Sequence, residues 1–269
     1  NTWIKHILVL SMVGVLLLFG VVQVFKLSFF QLRNVRITGV RTVDTSQVEQ
    51  VLQEYLGKTH VTGIKRGNLL FLRTNQLSNH LLDKYASFKH VRTEFTEPGV
   101  LTVYVDEYSP AYVWCNTECL FADDTGYLYR YTFDRSGGFI VFRGGLAKDG
   151  FELRNNIFVG DYELNFFNEL RLILYKHNII LSEVAGVNNA DIIAIIKNIG
   201  EYQLKNKVEL RMSRKTSLEY VNTMLTLILD DQVFKNRLQT GNTLDYIDLR
   251  YPEKIFYKFN NSPQQVVVN

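Results

Sequence analysis

One stretch constrains this chain before any other: ILVLSMVGVLLLFGVVQVF, from Ile7 to Phe25, carries no charge and only Ser11 and Gln23 are polar. At ~1.5 Å per residue such a helix reaches roughly 28 Å, against a hydrocarbon core of ~30 Å. A core helix of a water-soluble protein would normally keep a polar stripe. A cleaved signal peptide has a shorter apolar region that ends at a small-x-small site, whereas Phe25-Lys26-Leu27-Ser28-Phe29-Phe30 follows here. The run therefore predicts a transmembrane helix over 7–25, in contact with membrane lipid. Lys5 and His6 stand before it and Lys26, Arg33, Arg36 and Arg41 after it, so positive charge sets no orientation. Gly14 and Gly20 lack the small-xxx-small spacing that favours tight helix pairing.

No second run of this length occurs, which places the bulk of the 269 residues together on one side, enough for one or two domains with real cores. The formal net charge of +3 is modest and its signs are interspersed. The basic cluster Arg211-Met212-Ser213-Arg214-Lys215 reads as a solvated edge, and no nucleic-acid partner is expected.

Past the anchor, Leu32 to Gly39 alternates as a strand and stops at a glycine. Asp44 with Gln47 opens a helix carrying Val48, Val51, Leu52 and Tyr55. Gly67 to Leu72 turns into a second helix capped at Thr74, with Leu77, Leu81 and Leu82 inward. Val91, Thr93 and Phe95 then alternate towards a turn at Glu97-Pro98-Gly99, and Leu101, Val103 and Val105 form the returning strand. The order is β-α-α-β-β.

Beyond Pro110 the texture changes to short aromatic strands, at Tyr112–Cys115, Cys119–Ala122, Tyr127–Thr132 and Phe139–Arg143, with turns at Asp123–Gly126 and Ser136–Gly138. Asp161 can cap a helix with Leu164, Phe167, Leu170 and Leu174 on one face. Strands follow near 179–185, 192–199, 201–204 and 207–212, although the apolar run at 192–199 is equally compatible with a helix. A helix over about 216–229 and two closing strands, Leu244–Arg250 and Ile255–Phe259, complete the pattern. The fold class is α+β: a single N-terminal transmembrane helix, a β-α-α-β-β domain, then an antiparallel-sheet-rich α+β domain.

Catalytic constellations are missing from the motifs. The five histidines, His6, His60, His80, His90 and His177, show no metal-ligand spacing, and there is no nucleophile elbow, phosphate loop or dinucleotide fingerprint. Asp123-Asp124 could be a carboxylate pair, but Asp-Asp-Thr-Gly between two strands is first of all a turn. No enzyme activity, metal, cofactor or small-molecule substrate is expected, with an enzyme of dispersed site left open.

Four ordered features carry a resemblance. The anchor precedes a β-α-α-β-β module containing Gly67-Asn68-x-Leu70-Phe71. Then come Glu97-Pro98-Gly99-x-Leu101-x-Val103-x-Val105-x-Glu107-x-x-Pro110-Ala111-x-x-Trp114, Asp123-x-x-Gly126 and finally Tyr246-Ile247-Asp248-Leu249-Arg250-Tyr251. Together they resemble the bacterial cell-division family FtsQ/DivIB, across nearly the whole chain and in outline only over 135–215.

The resemblance implies these divisions: 1–6 the remnant of a cytoplasmic segment, 7–25 the anchor, 30–108 a POTRA-like domain, 109–260 the family's β domain, and 261–269 a polar tail. It implies a single-pass protein of the cytoplasmic (inner) membrane, N-terminus inside, enriched at the division septum. Its role there would be a non-enzymatic scaffold for FtsB/DivIC-like and FtsL-like coiled-coil partners, linked through them to the septal peptidoglycan synthase. A different anchored POTRA-type module, handling substrates or translocation, is the alternative. The cysteines and the aromatic run 254–259 depart from the family pattern.

A physical argument for a partner role stands beside the resemblance. Ile255–Phe259 comes last and is followed only by a tail, so it is expected at a sheet edge whose backbone can accept a partner's strand. Arg250, Tyr251, Ile255, Tyr257 and Phe259 are expected to border that docking site.

Cys115 and Cys119 lie either side of Asn116-Thr117-Glu118, a three-residue hairpin loop that would set them opposite one another. Facing Cβ atoms at ~4.5–5.5 Å are wider than a disulfide prefers, so a bond needs local adjustment. Outside the cytoplasm it is permitted; a structural disulfide and two facing thiols both remain open.

Overall fold

The computed structural model describes residues 2–25, 27–59, 63–133, 138–144, 157–158, 160–186, 191–260 and 265–268. They form two compact units, Asn1–Tyr108 and Ser109–Asn269.

The first unit opens with α1 (Thr2–Phe25), which takes in residues on the N-terminal side of the expected span. It is long and apolar enough to cross a membrane. A single 3₁₀ turn (Ser28–Phe30) leads to β1 (Asn34–Thr38), then α2 (Thr45–Gly57), α3 (Thr74–Lys84), β2 (Phe88–Glu97) and β3 (Val100–Glu107). The sheet order is β1-β3-β2, with β1 parallel to the central β3 and β2 antiparallel to it. Val48 and Leu52 of α2 and Leu77 and Leu81 of α3 pack against Leu101, Val103 and Val105 of β3. Burial of one such side chain is worth ~1.5–3 kcal/mol.

The ends of these elements follow from local chemistry. Asp44 caps α2 by accepting from the Ser46 amide at 3.0 Å. Thr74 does not cap α3: Arg73 holds that position without a side-chain bond, and the Thr74 carbonyl instead accepts from the buried Thr93 hydroxyl. Gly39 has φ of +91°, and a Cβ there would stand 2.0 Å from the Val105 carbonyl oxygen. Only glycine fits where the chain leaves β1.

The second unit contains β4 (Tyr112–Cys115), β5 (Cys119–Ala122), β6 (Leu128–Thr132), β7 (Ile140–Arg143), α4 (Asp161–Lys176), β8 (Leu181–Ala185), β9 (Asp191–Ile199), β10 (Tyr202–Ser213), α5 (Leu218–Asp230), α6 (Gln232–Gln239), β11 (Leu244–Asp248), β12 (Lys254–Phe259) and β13 (Gln265–Val268). All ten strands join one sheet, in the order β13-β12-β11-β10-β9-β8-β7-β4-β5-β6. Helices α4, α5 and α6 cover one face, where Phe167, Leu170, Leu225, Ile228 and Phe234 meet Phe142, Ala194, Leu210, Ile247 and Phe259.

Several expectations change. The sheet is mixed, because β4 with β7, β7 with β8, and β10 with β11 pair in parallel. The ambiguous 192–199 run is strand, and the two strands expected over 201–212 are one, β10, whose register shifts between Gln203 and Val208. Helix α4 is capped at Gly160, with Asp161 its first residue. Helix α6 was not anticipated; Asp231 starts it by accepting from the Phe234 amide at 2.6 Å. The expected Ser136–Gly138 turn falls largely outside the described residues.

The largest correction concerns the C-terminus. Residues 261–269 were expected to be a polar tail, yet Gln265–Val268 pairs with β12 in antiparallel register, Ile255 facing Val267 and Phe256 facing Val266. Three consecutive β-branched residues favour an extended backbone. The edge strand is therefore β13, and β12 lies inside the sheet.

Candidate functional site

Period-two alternation decides what β12 can show to a partner. Ile255, Tyr257 and Phe259 are all buried. Tyr257 and Phe259 meet Phe234 of α6 at ring separations of 5.1 and 5.7 Å. These three expected docking residues are core. Their neighbours Lys254, Phe256 and Lys258 face the other way, and Lys258 pairs with Asp245 at 3.8 Å.

Tyr251 remains accessible at 49 % exposure, and its ring meets Phe256 edge-on at 5.1 Å. Phe256 faces Val266 across the ladder, and Val266 is exposed. Tyr251, Phe256 and Val266 thus make a short apolar strip beside the terminal edge. The Tyr220 hydroxyl donates to the Tyr251 carbonyl at 2.7 Å, tying the strip to α5.

Arg250 borders this strip but is held by the fold. Its Nε and Nη2 donate to the two carboxylate oxygens of Asp248 at 2.9 and 2.7 Å, and Nη1 donates to Asp191 at 2.7 Å. Those hydrogen bonds, Asp248 first and Asp191 second, raise the guanidinium pKa further, so its charge is permanent. Asp248 is buried. A buried carboxylate needs such a partner, and the bidentate fork supplies both bonds at once. Arg250 shapes the 249–253 turn, where Glu253 takes a positive φ of 64°.

Of the expected docking residues, then, Tyr251 is available, Arg250 is locked in place, and Ile255, Tyr257 and Phe259 point inward. Phe256 and Val266 were missed. The same alternation that puts Tyr257 inside puts Phe256 outside, so the sequence carried that signal.

On the face of the sheet away from α4, α5 and α6, Glu183 pairs with Arg143 and with Lys207, and Arg211 stacks 4.0 Å from the Tyr246 ring while pairing with Glu209. The basic residue Arg211 is thereby engaged within the sheet.

At the opposite end, the two cysteines are bonded, with Cα atoms 4.1 Å apart. That is closer than the ~4.5 or ~5.5 Å of ordinary facing pairs, which is the adjustment such a bond needs. Asp123 accepts from the Thr125 and Tyr127 amides and from the Thr125 hydroxyl. Three donors on one carboxylate make it the organiser of a turn.

Among the described residues, no three His, Cys, Asp or Glu side chains gather as metal ligands. No family model matches the chain, and no curated protein matches it.

Proposed function

We propose that this chain is a non-enzymatic scaffold of the bacterial division machinery, of the FtsQ/DivIB type. It is held in the cytoplasmic membrane by residues 7–25, with its POTRA-like and β domains outside. It recruits FtsB/DivIC-like and FtsL-like coiled-coil proteins and, through them, septal peptidoglycan synthesis. The ordered motif run from Gly67 through Trp114 to Tyr251 supports this reading.

The single structural observation that carries the partner role is the terminal strand β13 beside Tyr251, Phe256 and Val266. A strand at the end of a sheet offers its outer backbone groups to a partner, and apolar side chains next to it supply specificity. The partner strand adds at this edge and covers the three side chains.

Two measurements test the proposal on the full chain in its membrane. A fluorescent fusion is expected to form a midcell ring; a diffuse envelope signal that persists through division overturns the division role. In a Trp3→Phe background, which leaves Trp114 as the one tryptophan, Tyr251→Ala with Phe256→Ser is expected to lose co-purifying small coiled-coil proteins while Trp114 fluorescence, a report on the second unit's core, stays native. Undiminished co-purification removes this edge as the docking site.

A further inference from the structure

A second apolar strip lies in the first unit, where the chain leaves the anchor. Leu27 and Phe29 are 55 % and 71 % exposed, and Leu70 is 58 % exposed. Phe71 and Phe95 are exposed as well. Such side chains spread at random would need no explanation. These are tied together by backbone hydrogen bonds.

The Leu69 amide donates to the Phe30 carbonyl at 2.8 Å, the Leu32 amide donates to the Gly67 carbonyl, and Gln31 bridges to Asn68. The loop that follows is stiff. Asn68 is 2 % exposed, its Oδ1 accepts from the Leu70 amide, and its carbonyl accepts from the Phe71 and Leu72 amides. Leu69 also lines one shallow hollow with Phe95, Pro98 and Gly99, and the Gly99 carbonyl accepts from the Arg33 and Asn34 amides.

Distance to the anchor is short. The Leu27 amide donates to the Val24 carbonyl and the Phe30 amide to the Leu27 carbonyl, so the chain coils rather than extends as it leaves α1. Five residues beyond Phe25 span at most ~18 Å even when fully extended, and these turns shorten that. The polar zone of a bilayer adds ~5–7 Å on each side of the hydrocarbon. With α1 in a membrane, Leu27, Phe29 and the Leu70-Phe71 tip stand at or beside that zone.

Charge agrees with the placement. Lys58, Lys65, Arg66 and Arg73 surround the tip in sequence, and no acidic residue occurs between Glu54 and Asp83. Arg33 is exposed on the same rim, whereas Glu97 is neutralised by Arg36 at 3.1 Å. Apolar and aromatic tips flanked by cations suit the boundary between acyl chains and anionic headgroups.

From these observations we infer that the first unit docks on the bilayer surface through Leu27, Phe29, Leu70 and Phe71, with Phe95 at the margin. The inference rests on α1 being a membrane anchor and is independent of the division role. Docking removes the swivel that a lone anchor would leave and fixes the height of the unit above the membrane.

The test uses the full chain in vesicles of phosphatidylethanolamine with a minority of phosphatidylglycerol. Both native cysteines are bonded, so a single introduced thiol takes an environment-sensitive fluorophore selectively. Three variants are compared: Leu16→Cys inside α1, Leu70→Cys at the tip, and Lys89→Cys at the far end of β2, roughly 20 Å along the strand from Phe95. The label at 70 is expected to be quenched by lipids carrying a nitroxide near the headgroup and shielded several-fold from aqueous iodide relative to 89. Adding Phe29→Ser and Phe71→Ser is expected to abolish that shielding.

If the label at 16 is quenched by deep nitroxides while that at 70 behaves like that at 89, the docking is overturned and the anchor stands. If 70 becomes shielded only in native membranes, the strip serves a protein partner and the inference also fails. If 16 is not quenched, α1 is not in the bilayer and both readings fall.

Discussion

Arg250 grips Asp248 with two parallel hydrogen bonds, at 2.9 and 2.7 Å, two residues apart across the bend that ends β11. The pair sits where β11 gives way to the turn into β12, and Asp191 of β9 completes it on the far side of β10. Arg250 and Asp248 therefore tie the end of β11 to β9 across β10.

Replacing Arg250 by Ala should leave the buried Asp248 carboxylate unpaired and cost about 3 kcal/mol. Arg250→Lys should recover only part of it, because an ammonium cannot make the bidentate fork. Urea unfolding of the detergent-solubilised chain in a Trp3→Phe background, followed through the buried Trp114, measures both. Equal stability of the Ala variant would show that Asp248 is satisfied another way.

Gly39→Ala should be among the most damaging single changes in the first unit. A methyl group 2.0 Å from the Val105 carbonyl oxygen cannot be accommodated by a rotamer change, and φ of +91° is closed to alanine. Either β1 leaves β3 or the strand end distorts. Hydrogen exchange of the Asn34–Thr38 amides should accelerate by orders of magnitude, while exchange in β9 and β10 of the second unit stays unchanged.

The buried Glu107 explains a motif position that resemblance alone leaves unexplained. Its carboxylate accepts from the Arg41 amide at 3.1 Å and the Thr42 amide at 3.0 Å, closing the loop between β1 and α2. Glu107→Ala should strand both amides and cost about 2 kcal/mol, and Glu107→Gln less, since one oxygen acceptor survives. Hydrogen exchange of the Arg41 and Thr42 amides, against that of β9 and β10 in the second unit, provides the measurement.

How far the sequence reached depended on how local the signal was. Alternation found β1, β2 and β3 because each repeats at period two with one face against the helices; β4 and β5 were legible only as short aromatic runs and are buried on both faces. Asp44 marked the start of α2 through chemistry confined to a few residues, whereas the Ser217 cap of α5, whose hydroxyl accepts from the Tyr220 amide, went unread. Helix α6 escaped because eight residues carry only Phe234 and Leu238 as its buried pair. Strand β13 escaped because four residues are a short signal, although Val266, Val267 and Val268 favour an extended backbone.

The docking residues were misassigned for a related reason. An edge was inferred from order in the chain, but edges are set by which strands pair. Adding β13 outside β12 removes the expected edge, and alternation independently turns Ile255, Tyr257 and Phe259 inward, towards the core. The parallel pairings of β7 with β4 and β8 were equally hidden, since they join segments far apart in sequence.

The hairpin disulfide should add modest stability. Cys115 and Cys119 are separated by only four positions, and the chain-entropy argument gives about 2 kcal/mol for so small a ring. Reduction or Cys115→Ser with Cys119→Ser should lower the Trp114-monitored unfolding midpoint without unfolding the unit, because Trp114 and Leu120 remain packed in the same core. Complete loss of structure on reduction would show that the hairpin is essential to the sheet.

Alkali should weaken the second unit through Tyr257. Burial raises its phenol pKa above the ordinary 10.0, and the nearby Asp231 charge adds to the effect while Arg237 opposes it. A raised pKa means that the folded state favours the neutral phenol. The corresponding stability is therefore complete below about pH 10 and is lost as pH rises through the folded value. Tyr220, also raised mainly by burial, contributes in the same direction. In Tyr257→Phe the ring packing against Phe234 is kept while the ionisable group is removed. Comparing urea midpoints near pH 9 and near pH 11, the variant should lose less stability than the native chain; an equal loss in both would assign the alkaline transition to other groups.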